Sequence, residues 1–233
     1  MPNTEQLPLA VHLPDDETFT SFYSLDSGAI VSQLKAFIKS DDHSTHGFYL
    51  FGQHSVGKSH LLHASSAFAS QLGKSSLCVS LSEIKHLSVE VLNNLEQVDL
   101  ICLDDLHLIA GNKAWQQGIF DLYNRVIENN KKIILAGNNA ANSLLITLPD
   151  LVSRISWGFT EQVKPLPDED KVQAFQHRAR GRGIEMQDET VKFLLNRVSR
   201  DMNSLLESLD VLDKASITAQ RKITIPFIKE VLF

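Results

Sequence analysis

An α/β fold built on a parallel sheet, followed by a small all-helical unit, is what this sequence predicts. Three observations carry that expectation. Short apolar runs alternate with stretches of helical periodicity up to Pro165. A glycine-bearing loop stands between the first such run and the helix after it. Beyond Pro165 and Pro167 only helical patterns remain. Strands that alternate with helices are joined by crossovers, which put helices on both faces of a parallel sheet. Such strands are buried on both sides and read as continuous apolar runs.

The elements follow in order. Residues 1–14 are a polar tail carrying "QLPLAV" and ending at Pro14. "GAIVSQLKAFIK" (28–39) sets Ile30, Leu34, Phe37 and Ile38 at helical spacing. "FYLFG" is a buried strand stopped by glycine, and "KSHLLHASSAFASQLG" a helix ending at Gly73. "SSLCVSL" is a second strand and "VEVLNNLEQV" a helix. "DLICLDD" is a third strand. "AWQQGIFDLYNRVIENN" is a helix with Trp115, Ile119, Leu122 and Val126 on one stripe. "KKIILAGNN" is a fourth strand, "LPDLVSRIS" a short helix and "GFTEQVKPL" a fifth strand. Four helical stretches complete the chain. Asp168 and Asp188 are expected to cap the first two, and the first ends near Gly183. The expected division is a tail (1–14), an α/β nucleotide-binding unit (15–165) and a helical unit (166–233).

Composition bounds the function. With 233 residues and 43 % hydrophobic content, the chain can bury a proper core. A formal net charge of −6 argues against a chain that mainly coats nucleic acid, which needs clustered Lys and Arg. The two cysteines, Cys78 and Cys102, lie in strand-like runs and read as small hydrophobes. "MPNTEQ" lacks the basic start of a secretory signal, and no apolar run approaches a membrane span. A soluble protein of the reducing cytoplasm is expected.

The strongest local signal is "GQHSVGKS", residues 52–59. It fits G-x-x-x-x-G-K-[ST] in full, directly after a strand and before a helix. Gly52 and Gly57 let the backbone curl so that successive N–H groups point at phosphate oxygens. Gln53, His54, Ser55 and Val56 complete the loop. Lys58 brings a point charge to the β and γ phosphates, and the Ser59 hydroxyl can hold Mg²⁺. His60 follows on the helix whose positive end faces the same phosphates. The third strand ends in Asp104 and Asp105. A carboxylate at that place beside a phosphate loop can hold Mg²⁺ through water, the role expected of Asp104. Asp105 can orient an attacking water; the plainer alternative is that it caps the next segment. Asn138, after the fourth strand, would lie near the γ-phosphate. Arg154 sits on a short helix remote in sequence from the phosphate loop. In oligomeric P-loop ATPases such an arginine reaches a neighbour's nucleotide and stabilises transition-state charge. A surface arginine paired with Asp150 is the plainer alternative. His60 and His63 read as core or surface histidines, since no further metal ligands converge on them. Phe19 or Phe22, with the helical unit, would meet the base.

"GFYLFGQHSVGKSHLLHA", "LICLDDLH", "IFDLYNRVIENNKKIILAGN" and "LVSRISWG" resemble the AAA+ core of the bacterial replication initiator family, DnaA, from about residue 17 to the end. The resemblance implies an AAA+ P-loop NTPase core with a five-stranded parallel sheet and a helical lid, binding ADP or ATP with Mg²⁺. It implies the roles above for the phosphate loop, Asp104, Asn138 as first sensor, and Arg154 as a finger acting in trans. The chain stops after the lid at "PFIKEVLF", without the DNA-reading helix-turn-helix of the initiators. It thus resembles the regulatory branch of the family that inactivates DnaA. Members of that branch dock on the DNA polymerase sliding clamp through a tail of the type Gln-Leu-x-Leu-x-Leu. Gln6, Leu7, Pro8, Leu9, Ala10 and Val11 match that shape, with Val11 smaller than the usual last anchor. Apolar anchors would fill a pocket while the Gln amide fixes orientation. From these residues alone, an edge strand or a staple onto the core stands open beside that reading. One departure is Asn203, where the family carries an arginine as second sensor; an asparagine lacks its charge and reach. The implied partners are DnaA, the clamp, and DNA through the clamp, with a homodimer or homo-oligomer compatible with a finger-bearing ATPase. The implied function is negative regulation of replication initiation by promoting hydrolysis of DnaA-bound ATP, with weak or absent ATPase activity of its own. The alternatives are an autonomous ATPase or helicase loader, and a non-catalytic DnaA adaptor.

Overall fold

The computed structural model describes residues 17–23, 28–42, 44–199 and 201–233. The tail stretch Gln6–Val11, with the clamp reading placed on it, lies outside the described residues. Five parallel strands form one sheet: β1 (Gly47–Phe51), β2 (Ser76–Ser80), β3 (Leu100–Asp104), β4 (Lys132–Gly137) and β5 (Phe159–Gln162). Their spatial order is β2-β3-β4-β1-β5. Helices α1 (Ala29–Lys39), α2 (Lys58–Gln71), α3 (Leu81–Ile84), α4 (Lys113–Glu128) and α5 (Pro149–Trp157) surround it. Side chains alternate between the two faces along each strand, as the pleat requires. Tyr49, Ile101, Leu103, Ile133 and Leu135 pack on the face covered by α4 and α5. Phe48, Leu50, Leu100, Cys102, Ile134 and Ala136 pack on the opposite face with α1 and α2. Both faces are therefore apolar, which is why the strands read as unbroken hydrophobic runs. Cys78 and Cys102 are free thiols, both buried and paired in register on β2 and β3.

Four helices follow: α6 (Asp168–Gly181), α7 (Asp188–Leu195), α8 (Met202–Ala219) and α9 (Ile225–Leu232). They enclose a separate core around Phe175, Leu194, Leu205, Leu209 and Phe227. The Asp201 carboxylate caps α8 by accepting from the Ser204 N–H at 3.0 Å, which satisfies one of the unpaired donors of a helix start. Among the described residues, no helix is long and apolar enough to cross a membrane.

Two local expectations are corrected. "VEVLNNLEQV" does not form one helix but two 3₁₀ turns, Val89–Leu92 and Leu95–Gln97. Asn93 is extended and Asn94 adopts φ +65°, a left-handed conformation that asparagine tolerates and that ends a helix. Asp168 and Asp188 do not cap their helices. Each is the first helical residue, behind Pro167 and Gln187. There they face the positive end of the helix dipole instead of closing it with a side-chain bond.

Candidate functional site

The first βα turn sets the site. The Gly52 N–H bonds the Gly137 carbonyl at 3.2 Å, which ties the start of the loop to the end of β4. Ser55 and Gly57 take positive φ, +59° and +95°, so the loop curls before α2 begins. A Cβ on Gly57 would also stand 2.8 Å from the Phe22 ring. Glycine is required there twice over, by conformation and by space. The Lys58 ammonium is held at the loop by the carbonyls of Gly52 (2.9 Å) and Gln53 (2.7 Å). Burial pulls its proton affinity down, while the carboxylates of Asp104 and Asp105 oppose that pull.

Asp104 ends β3, 7 % exposed. Its carboxylate accepts from the Ser59 hydroxyl at 2.5 Å and from the Asp105 N–H at 2.7 Å. Burial raises its pKa, and the Ser59 bond works the other way. Two hard oxygen donors thus converge from β3 and α2, the donor type Mg²⁺ takes. Asp105 adopts φ +59° and accepts from the Ser80 hydroxyl at 2.7 Å. One of its oxygens is therefore tied to the end of β2.

These groups line a cavity of about 490 Å³ between the sheet's carboxyl ends and the helical unit. Parallel α/β sheets bind ligands at that edge. His54 through His60, Asp104, Asp105 and Asn203 all line it. Gly52 and Gln53 are outside the lining and contribute the carbonyls that hold Lys58. Asn138 is exposed just past β4, outside the lining, where its side-chain carbonyl accepts from Asn139 at 3.3 Å. Arg154 lies on α5, also outside the lining. The two aromatic candidates for base contact separate: Phe22 lines the cavity, whereas Phe19 is buried edge-on against Phe68. The expectation that either could serve is thereby narrowed to Phe22.

Several lining residues carry no motif in the sequence. Arg178 of α6, 6 % exposed, donates to the Ser21 hydroxyl at 3.0 Å. His177 bonds the Thr20 carbonyl at 2.7 Å, and the Tyr23 hydroxyl donates to Gln173 at 2.9 Å. The strap Glu17–Tyr23 is thus fastened to α6. It is fastened to α2 as well, where His60 donates to the Thr18 carbonyl at 2.8 Å. On the other side, the Asp201 carboxylate at the cap of α8 accepts from the Ser199 hydroxyl and from the Ser204 N–H and hydroxyl. With Ser199 and the Ser204 N–H as its main donors, that carboxylate stays well below the usual range. The one signal that could have singled out Arg178 is its place three residues after Phe175, beside the buried stripe of α6.

His63 meets Glu17 in a close hydrogen-bonded ion pair at the cavity wall. Burial works against a charge on His63, but Cys78 nearby and the bonded Glu17 carboxylate win and lift its pKa to about 10. Glu17 is also penalised by burial, yet the His63 bond and nearby cations hold it below its ordinary value. A raised histidine pKa contributes stability that is complete below the unfolded value and is lost as pH climbs through the folded one. Stability should therefore decline from about pH 6.5 to about pH 10. The decline should be on the order of 1–3 kcal/mol once screening of a side chain 26 % exposed is allowed for. Denaturant midpoints across that window should fall for the native chain and stay flatter for His63→Gln.

Residues 15–162 match the family of the bacterial DnaA ATPase domain. The chain belongs to that family. Residues 168–232 match the lid domain of Hda, so the chain is a DnaA-related protein with an Hda-like lid. Among solved structures, domain III of the Thermotoga maritima replication initiation protein DnaA superposes with a TM-score of 0.79 at 18 % identity, over 95 % of this chain and 98 % of that one. AMPPCP-bound DnaA from Aquifex aeolicus gives 0.72 at 20 % identity, over 87 % and 67 %. The Thermotoga maritima Holliday junction branch migration motor RuvB gives 0.63 at 14 % identity, over 92 % and 72 %. The fold is that of an AAA+ core, a five-stranded parallel sheet with a C-terminal helical lid.

Proposed function

We propose that this DnaA-related protein is a negative regulator of replication initiation that acts on DnaA. It binds ADP or ATP at the phosphate loop, with Lys58 on the phosphates and the base toward Phe22 and the lid. Ser59 and Asp104 would hold Mg²⁺, which when bound offsets phosphate charge. The AMPPCP bound by the Aquifex aeolicus relative supports an adenine nucleotide here. Asn203 stands at the lid side of the cavity as an uncharged group, so hydrolysis by this subunit is weak. The working division of the chain is 1–14, 15–165 and 166–233. The tail residues Gln6, Leu7, Pro8, Leu9, Ala10 and Val11 dock on a DNA-loaded sliding clamp in the cytoplasm.

The observation that carries this reading is Arg154. It lies outside its own chain's cavity and makes no ion pair among the described residues, with Asp150 or any other. A cation so placed is available to a nucleotide bound by another subunit, and a guanidinium suits phosphate geometry. The test measures hydrolysis of ATP preloaded on DnaA, with the chain and a DNA-loaded clamp present. Stimulation should require both, and the double variant Gln6→Ala/Leu7→Ala should lose clamp binding and the clamp-dependent stimulation while retaining ADP binding. Absence of stimulation sinks the regulatory reading. Stimulation that ignores the clamp sinks the docking role of the tail.

A further inference from the structure

Trp157 ends α5 with 72 % of its surface open, the most exposed aromatic among the described residues. A solitary exposed apolar side chain is ordinary. Trp157 is not solitary. Arg154 lies three residues earlier on the same helical face, and its guanidinium carbon stands 5.5 Å from the centre of the indole ring.

The platform beneath the pair is fixed. Gly158 follows directly, and a Cβ there would strike the Gly47 carbonyl, so the helix end presses against β1. Trp157 and Gly158 line a groove of about 150 Å³ together with Tyr123 and Ile127 of α4 and residues 44–46 before β1. Burial pushes the Tyr123 hydroxyl up to about 12, and the Arg154 charge draws it back.

The manner of holding matters for chemistry. A carboxylate partner would take the N–H edges of the guanidinium, the same edges that grip phosphate in a bidentate pair. An aromatic ring takes the flat face and leaves those edges free. Arg154 is held by a ring and by no carboxylate among the described residues.

We infer that Trp157 is a positioning residue for Arg154: the indole restricts the guanidinium to an orientation that presents its N–H edges to the phosphates of a nucleotide on a neighbouring DnaA-type subunit. The inference rests on the finger reading of Arg154. At the interface the exposed indole would be covered, and a desolvated cation–π contact is stronger than an exposed one.

The experiment compares Trp157→Ala, Trp157→Leu, Trp157→Phe and Arg154→Ala in stimulated hydrolysis of DnaA-bound ATP, titrating the chain to saturation. Alanine and leucine should lower the saturating rate by about 5- to 30-fold. The half-saturating concentration should shift less, and phenylalanine should restore most of the rate. ADP affinity should match the native chain in all four, and melting temperature should fall by no more than a few degrees in any of them. An unchanged saturating rate in Trp157→Ala overturns the inference, and so does a leucine variant that works as well as phenylalanine. A loss confined to half-saturation would make Trp157 mere contact surface, which also overturns it. Full stimulation by Arg154→Ala would instead overturn the finger reading beneath it.

Discussion

Lys58→Ala is expected to weaken binding of ADP or ATP by about 10²- to 10³-fold, the loss of a charge-assisted contact to phosphate in a partly desolvated site. Isothermal titration of the purified chain reads it directly. The structure gives the reason for a large effect. The ammonium is already at the loop, pinned by the carbonyls of Gly52 and Gln53, and little reordering separates it from a phosphate held in the curl. Burial disfavours its charge, and an anionic ligand would relieve that disfavour. Removing the ammonium also leaves the carboxylates of Asp104 and Asp105 nearer to phosphate charge without an intervening cation. Lys58→Arg should recover only part of the affinity, because a planar fork cannot reproduce a compact point charge against two converging carbonyls. Should Lys58→Ala bind as tightly as the native chain, the phosphate loop is not the nucleotide site.

The parts of this molecule that could be read in the sequence are those fixed by local constraint. Strands β1, β3 and β4 were visible because both of their faces are buried, which forces an apolar run, whereas the edge strand β5 is largely exposed. The phosphate loop was visible because its curl demands glycine, as the +95° φ and the close Phe22 ring at Gly57 show. Where a local signal misled, another local force had prevailed. Asn93 and Asn94 broke an apolar period that otherwise suited a helix, and residues Pro167 and Gln187 took the cap places that aspartates seemed to claim. The rest of the site depends on contacts between distant segments. Phe19 and Phe22 are alike in sequence, yet the turn closed by the Ser21 N–H on the Thr18 carbonyl sends one into the core and the other to the cavity. Arg178 and His177 reach the strap at Ser21 and Thr20 across more than a hundred residues of chain, and no spacing encodes such a meeting.

Arg154→Ala is expected to reduce stimulated hydrolysis of DnaA-bound ATP by about 10³- to 10⁵-fold, the range over which an arginine supplied in trans accelerates phosphoryl transfer. The rate of ATP loss from preloaded DnaA, at saturating chain and clamp, measures it. Two controls separate this outcome from damage. Affinity of the variant for its own ADP should be unchanged, because the residue lies outside its own cavity. Stability should fall by no more than about 0.5–1 kcal/mol, the worth of an exposed cation–π contact, since no ion pair is lost. Arg154→Lys distinguishes charge from geometry. If charge alone acted, lysine would restore most of the rate. If the fork acts, lysine recovers little, because an ammonium neither stacks flat on Trp157 nor spans two phosphate oxygens at once. The ring contact argues for the second result: a guanidinium placed beside an indole, with no carboxylate partner among the described residues, keeps its N–H groups available for a two-toothed grip.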